Sequence, residues 1–157
     1  MVFATTGTQV PFDRLINILD ELAPQLNEKV IAQVHHTTLR PRHIKTVDFL
    51  APDEFDKLFN EARLIVAHAG MGTILSALQQ NKPIIIFPRI AALGEHRNEH
   101  QLGTAAKMRE RGWVYVASTP EELKSLLLTP DLHPLHRIEC TASLDLIQSI
   151  SDYIEKE

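Results

Sequence analysis

The chain has 157 residues, a length that fits one domain. Its net charge of −4 and isoelectric point near 6.0 argue against a nucleic-acid-binding protein, which usually presents a basic face. The single cysteine, Cys140, excludes an internal disulfide, and we find neither a signal peptide nor an apolar stretch long enough to span a bilayer. We therefore expect one cytoplasmic domain over residues 1–157.

Strand and helix patterns alternate along the chain. In chain order, the first half is predicted to contain a strand at Val2–Thr6, a helix at Phe12–Gln25, strands at Lys29–His35 and Ile44–Leu50, a helix at Asp53–Asn60 and a strand at Arg63–Ala67. The second half is predicted to contain a helix at Thr73–Gln80, a strand at Ile84–Phe87, a loop at Arg89–Glu95 and a helix at Arg97–Arg111 that Gly112 ends. A strand at Trp113–Ala117, a helix that Thr119 caps and that ends at Leu128, and a terminal helix at Ala142–Ile154 are predicted to follow.

Several of these strands are apolar on both faces, a pattern typical of a mostly parallel sheet that helices cover on both sides. The predicted fold class is therefore α/β and Rossmann-like. Such sheets bind ligands outside the carboxyl ends of their strands. Two glycine-containing turns and the loop after Phe87 all follow strands, so all three are predicted to lie at that edge.

The turn Gly70-Met71-Gly72 lies between a predicted strand and a predicted helix. Missing side chains let backbone N–H groups approach a diphosphate at the helix N-terminus, where Thr73 adds a hydroxyl donor. The alternative is that the glycines only make a tight turn. The full dinucleotide fingerprint is absent, because Leu75 stands at its third glycine position.

A second glycine turn follows the first strand and contains Gly7 and Thr8. Its hydroxyl and amide groups suit contacts to an anion or an acceptor, although a polar turn that caps the next helix would look the same. His68 ends the strand before the other turn. This side chain faces the ligand or hydrogen-bonds the neighbouring loop, and the sequence leaves both interpretations open.

The densest polar segment runs from Glu95 to Gln101. It contains His96-x-x-Glu99-His100, the spacing of an inverted zinc-protease motif, and on a helix both histidines would share a face. A zinc hydrolase is therefore one interpretation. The others are a solvated helix start and a set of ligand contacts.

Four segments in a fixed order carry a family resemblance. They are Thr-x-Gly-Thr8 with Phe12-Asp13, Val66–Ile74, Lys82–Arg89 and Gly94–Gln101. Together they resemble the C-terminal, nucleotide-sugar-binding half of family 28 glycosyltransferases. The likeness is greatest to the small subunit of two-subunit transferases of the dolichol-pathway and the bacterial exopolysaccharide or capsule type.

This resemblance implies one half of a GT-B fold that binds a UDP-sugar donor. It implies that Gly7 and Thr8 contact phosphate or the acceptor side, and that Glu95, His100 and Gln101 reach the donor sugar and diphosphate. It also implies that backbone N–H groups bind the diphosphate at Gly70, Met71, Gly72 and Thr73. Ser76 stands where single-chain relatives carry a ribose-binding glutamate, and His35 stands where related small subunits often have glycine.

The function implied is transfer of a hexose to a lipid-linked acceptor in polysaccharide biosynthesis. A membrane-anchored subunit would bind the acceptor and supply the catalytic base, so no catalytic residue is assigned to this chain. No metal or other cofactor is implied, and the partner would hold the chain at the inner face of the membrane. The alternatives are a non-catalytic nucleotide-binding regulatory module, the zinc hydrolase, and another nucleotide-binding domain such as a flavodoxin-like one.

Overall fold

The computed structural model describes residues 1–138 and Gln148. Strands within these residues are β1 (Val2–Thr5), β2 (Val30–Gln33), β3 (Lys45–Val47), β4 (Leu64–Ala67), β5 (Ile84–Ile86) and β6 (Tyr115–Val116). The α-helices there are α1 (Asp13–Leu26), α2 (Pro52–Glu61), α3 (Met71–Gln79), α4 (His100–Arg111) and α5 (Pro120–Leu128). Apart from Gln148, the predicted helix Ala142–Ile154 lies outside the described residues, and with it the assignment of all 157 residues to one domain stays a prediction.

All six strands form one sheet, in the order β3-β2-β1-β4-β5-β6, and every pair is parallel. The order places β1 in the interior of the sheet, where Thr5 has Gln33 of β2 on one side and Ala67 of β4 on the other. The prediction of a parallel, Rossmann-like sheet is confirmed, because 3-2-1-4-5-6 is the strand order of that fold.

Alternate residues of each strand pack on opposite faces of the sheet, as the period of two in a strand requires. Val2 and Ala4 of β1 face the core that α1 and α5 cover, whereas Phe3 faces the core that α2, α3 and α4 cover. Helices therefore lie on both sides of the sheet, and none in the described residues is long and apolar enough to cross a membrane.

Two helix boundaries follow local signals in the sequence. The Thr119 side chain accepts a hydrogen bond from the N–H of Glu122 at the start of α5, and Gly112 ends α4 in the left-handed conformation, at φ +68°. The start of α4 differs from the prediction. It begins at His100 and not at Arg97, because residues 96–99 form a bend in which the side chains of His96 and Asn98 accept from backbone N–H groups.

Candidate functional site

The carboxyl ends of β1 and β4 form the centre of the candidate site. These strands are adjacent, and the chain continues from β1 towards β2 and from β4 towards β5, so the connections lead away in opposite directions. Ligands of open α/β sheets bind in the crevice at such a switch point. The Gly7 turn follows β1 and the Gly70 turn follows β4, so both predicted glycine turns border the crevice.

Buried polar side chains are concentrated at this edge of the sheet. Six of the seven found among the described residues lie there, namely Thr5, Thr6, Gln33, Arg89, Glu95 and Gln101, and the seventh is Thr104 inside α4. Polar groups are rarely buried unless they are hydrogen-bonded or have a function. The six side chains lie at or just after the ends of β1, β2 and β5 and at the start of α4, which is the same edge as that of the glycine turns.

A larger cavity of about 260 Å³ lies at the opposite edge of the sheet, between the ends of α1 and α5. Its lining includes Leu26, Arg63 and Leu127. The amino ends of parallel strands are not where these sheets bind ligands, so we place the functional site at the carboxyl edge.

The N-terminus of α3 offers unpaired backbone donors at the crevice. Gly70 is the N-cap, has extended backbone angles and supplies no side-chain cap. The first N–H groups of a helix, here those of Met71, Gly72 and Thr73, have no partner within the helix and carry the positive end of its dipole. A Cβ atom added at Gly72 would meet nothing within 4 Å, so the space above this turn is open.

The imidazole of His68 lies between the two glycine turns. A Cβ atom at Gly70 would lie 2.2 Å from His68 Nε2, and one at Gly7 would lie 2.9 Å from the same atom. Gly7 also has φ +78°, a conformation that side chains disfavour. Gly7 and Gly70 are thus needed to make room for the ring of His68.

His68 is held in its neutral form. Burial lowers the pKa of this imidazole to about 4, and the positive charge of Arg89 acts in the same direction. Its Nδ1 atom is buried without a hydrogen-bond partner in the structure. A backbone contact with Thr5 acts against the lowering of the pKa, and both interpretations of His68 stay predictions.

Arg89, to which the sequence analysis gave no role, is buried in the middle of the site, with 3% of its surface exposed. Its two terminal guanidinium nitrogens donate to four backbone carbonyl oxygens. These belong to Thr6, Val10, Pro11 and Glu95. Its guanidinium carbon also lies 4.7 Å from the centre of the Phe12 ring, which adds a cation–π contact. Arg89 therefore joins the loop after β1 to the loop after β5.

Glu95 and Gln101 also make contacts within the scaffold. The carboxylate of Glu95 forms a two-point ion pair with Arg14, at 2.9 Å for each closest contact, and accepts from the N–H of Ile90. The amide oxygen of Gln101 accepts from the backbone N–H groups of Arg89 and Ala69. Glu95 thus fixes the loop after β5 to α1, and Gln101 fixes the ends of β4 and β5 relative to the start of α4. The contacts of both side chains to a donor sugar stay predictions.

Several predicted residues line one small cavity of about 40 Å³. Its walls are formed by Thr6, Gly7, Thr8, Gln9, Val10, His68, Arg89, His96 and Gln101. The structure thus brings Gly7, Thr8, His68 and Gln101 together. His100 is exposed at the first position of α4 and does not line the cavity.

The geometry assumed for a zinc motif is not formed. His96 precedes α4 and its Nδ1 atom accepts from the N–H of Asn98, so His96 and His100 do not occupy successive turns of a helix. Over residues 1–138, no group of three or more His, Cys, Asp or Glu side chains is arranged to hold a metal ion. The condition of the zinc interpretation, that both histidines lie on one helix, is therefore not met.

Comparison with known proteins identifies the family. The model of the glycosyltransferase family 28 C-terminal domain matches residues 1–152. This chain belongs to that family. The resemblance of its four ordered segments to family 28 is therefore confirmed.

Two curated relatives of this family 28 domain are UDP-N-acetylglucosamine transferase subunits named ALG13. The human protein is 27% identical over 147 residues, and the mouse protein is 25% identical over 142 residues. These alignments cover 82% and 80% of the chain, but only 12% of each relative. The chain thus spans about one eighth of the length of these relatives.

Solved structures with the same fold include a solution structure of ALG13, with a TM-score of 0.63 and 21% identity over 93% of both chains. MurG of Acinetobacter baumannii has a TM-score of 0.59 and 18% identity, and the match covers 99% of this chain and 49% of MurG. SsfS6 of Streptomyces sp. SF2575, solved with thymidine diphosphate, has a TM-score of 0.57 and 20% identity over 99% of this chain and 37% of that one. The predicted fold class, one Rossmann-like half of a GT-B fold, is confirmed.

Proposed function

We propose that this chain is the donor-binding subunit of a UDP-sugar glycosyltransferase. The observation that carries the proposal is the open N-terminus of α3, where a glycine N-cap and the vacant space above Gly72 expose backbone donors at the switch point of the sheet. A diphosphate fits this site because it needs several N–H donors and is favoured by the positive end of the helix dipole.

The chemistry proposed is displacement at the anomeric carbon of the donor sugar. An acceptor hydroxyl oxygen forms the new bond to that carbon, while the bond from the carbon to the diphosphate oxygen breaks. UDP leaves with the bonding electrons, and the hydroxyl proton passes to a base. N–H groups at Met71, Gly72 and Thr73 would stabilise the charge that develops on the leaving diphosphate, without requiring a metal ion.

The remaining site residues are assigned by their positions. Gly7 and Thr8 border the cavity next to His68, so we place the phosphate or acceptor side there. Glu95, His100 and Gln101 lie at or before the start of α4, and we propose that they form the donor-sugar side. His68 completes the wall between these two regions.

We further propose that a membrane-anchored subunit supplies the acceptor site and the base. Support comes from the family 28 C-terminal domain itself and from the match to about half of the MurG chain. The curated relatives are also named as transferase subunits. We propose that the acceptor is a lipid-linked sugar and that the group transferred is a hexose. The reaction would belong to polysaccharide biosynthesis and would take place at the inner face of the membrane.

The test is calorimetric titration of the full chain with UDP, GDP and flavin mononucleotide. Binding of UDP in preference to the other two is expected. At 100 times its dissociation constant, UDP should add about 2.7 kcal/mol of stability, which for a chain of this size raises the melting temperature by roughly 5–11 °C.

Gly72→Leu tests the diphosphate site directly, because the leucine side chain enters open space and should leave folding intact. We expect it to raise the dissociation constant for UDP at least tenfold. Gln79→Leu, at the exposed far end of the same helix, is the matched control and should bind UDP like the unmodified chain. Equal UDP affinity in Gly72→Leu would contradict the proposed site.

Transfer itself is tested by adding candidate acceptor subunits to the chain with UDP-hexoses and a lipid-linked sugar. Full turnover by the chain alone would refute the two-subunit proposal. UDP binding without transfer in the presence of every partner would instead favour a non-catalytic regulatory module.

A further inference from the structure

We propose that Arg89 is a positioning residue that holds the Gly7 turn in its ligand-binding conformation by tying the loop after β1 to the loop after β5. The proposal rests on the proposed function for the identity of the ligand. Its structural part, the tie between the two loops, can be measured independently.

Hydrogen bonding distinguishes positioning from ligand binding. The two terminal nitrogens of a guanidinium carry four hydrogen atoms, and in Arg89 these nitrogens donate to four backbone carbonyls. A phosphate or carboxylate could engage them only by displacing one of these carbonyls. Despite its charge and its place in the cavity wall, Arg89 therefore has four of its five N–H groups committed to the protein.

The four carbonyls show which segments Arg89 joins. Three of them lie on either side of the Gly7 turn, at Thr6, Val10 and Pro11, and the fourth belongs to Glu95. Between Thr6 and Val10 the chain exposes Thr8 and Gln9, so this segment has little packing of its own. The bonds to Arg89 hold both ends of an otherwise exposed turn.

The surroundings of Arg89 fix its position in turn. Its backbone N–H donates to Gln101 at 2.9 Å, and Phe12 lies against its guanidinium group. Glu95, which supplies one of the carbonyls, is itself held by Arg14. Glu95 and Gln101 are thus connected through Arg89 to the Gly7 turn.

The experiment measures backbone order and UDP affinity in the full chain carrying Arg89→Gln. We expect the ¹⁵N order parameters of Gly7, Thr8 and Gln9 to fall from about 0.85 to below 0.6, because the turn loses the donors at both ends. We expect the dissociation constant for UDP to rise at least tenfold, and the pKa of His68, followed by NMR, to rise because the nearby positive charge is gone.

Arg63→Gln is the matched control, since it removes another hydrogen-bonded guanidinium group, one that donates to the carboxylate of Glu28 at the opposite edge of the sheet. It should leave the order parameters of the Gly7 turn, the pKa of His68 and the UDP affinity unchanged. If Arg89→Gln fails to fold, Arg89→Lys takes its place, because one ammonium group with three hydrogens cannot serve four carbonyls.

Order parameters at the values of the unmodified chain would overturn the proposal, as would a loosened turn with unchanged UDP affinity. If the unmodified chain binds no UDP, the proposed function fails. The order parameters then decide alone whether Arg89 holds the turn.

Discussion

Gly70→Ala tests the packing of His68 between the two glycine turns. The added Cβ atom would lie 2.2 Å from His68 Nε2 and 2.9 Å from two ring carbons, all inside van der Waals contact. The ring has little room to move away, because the cavity that it lines beside the Gly7 turn measures only about 40 Å³. Either the imidazole or the start of α3 must shift.

The magnitude follows from two costs. Overpacking a well-packed site costs about 1–3 kcal/mol, and alanine is a poorer N-cap than glycine by some tenths of a kcal/mol. We expect Gly70→Ala to lower the free energy of unfolding by about 2–3 kcal/mol, which lowers the melting temperature by roughly 4–12 °C. The assay is urea unfolding, in which the midpoint should fall while the slope of the free energy against urea concentration stays unchanged.

The double variant with His68→Ala identifies the cause. Without the ring, Gly70→Ala should cost less than about 1 kcal/mol, since only the cap is lost, and the coupling energy should therefore be about 1–2 kcal/mol. Gly72→Ala is the control and should leave stability unchanged or slightly higher, because its Cβ atom meets nothing. Additivity of the two changes within about 0.5 kcal/mol would refute the reasoning.

Two further predictions concern buried charge. Because the pKa of His68 is lowered to about 4, its neutral form stabilises the fold above pH 6.5, and this contribution is lost as the pH falls towards 4. Between pH 7 and pH 5 the loss in the free energy of unfolding should amount to about 2 kcal/mol. The variant His68→Gln should lack this part of the pH dependence, which urea unfolding measures. Equal pH dependence in the variant would show that His68 titrates normally. Glu95→Ala should lower the free energy of unfolding by about 2–4 kcal/mol, because it leaves Arg14 without its carboxylate partner and the N–H of Ile90 without its acceptor. Glu110→Ala, which removes the exposed ion pair with Lys107, should lower the free energy of unfolding by less than about 0.5 kcal/mol. Equal losses of stability in Glu95→Ala and Glu110→Ala would contradict the greater importance of the buried pair.

Periodicity and apolar runs were sufficient to predict the sheet, because parallel strands buried on both faces are almost continuously apolar. The cap at Thr119 and the end of α4 at Gly112 were predicted for the same kind of reason, a local residue with one suitable geometry. The start of α4 was misplaced because the turn before it depends on hydrogen bonds of Asn98 with its neighbours. Helical periodicity carries no information about such bonds.

The candidate site was predicted in part. Glycines after strands are visible in a sequence, so both turns were found, but the space that His68 requires between them arises only when β1 and β4 pair. Arg89 lies in a segment that carried the family resemblance, yet an arginine is ordinarily assigned to the surface. Its burial depends on carbonyls of a loop almost 80 residues away in the chain, which no local pattern reveals.

His35 shows how a residue can be recognised in sequence and explained only by structure. It follows β2 with φ +54°, in the left-handed region where glycine is favoured. This conformation gives a physical reason why a glycine would suit the position. Why a histidine stands there is not explained by any described contact beyond the tilted packing of its ring against that of His36.

The interior place of β1 bears on how the chain reaches this structure. Val2 is paired with Leu64, so the middle of the sheet cannot close until some sixty residues have been brought together. Pairings so distant along the chain carry a large loop-closure entropy, and parallel sheets that depend on them fold slowly. In refolding experiments, half-formed sheets with open edges should therefore persist long enough to associate with one another, and yields should improve on dilution.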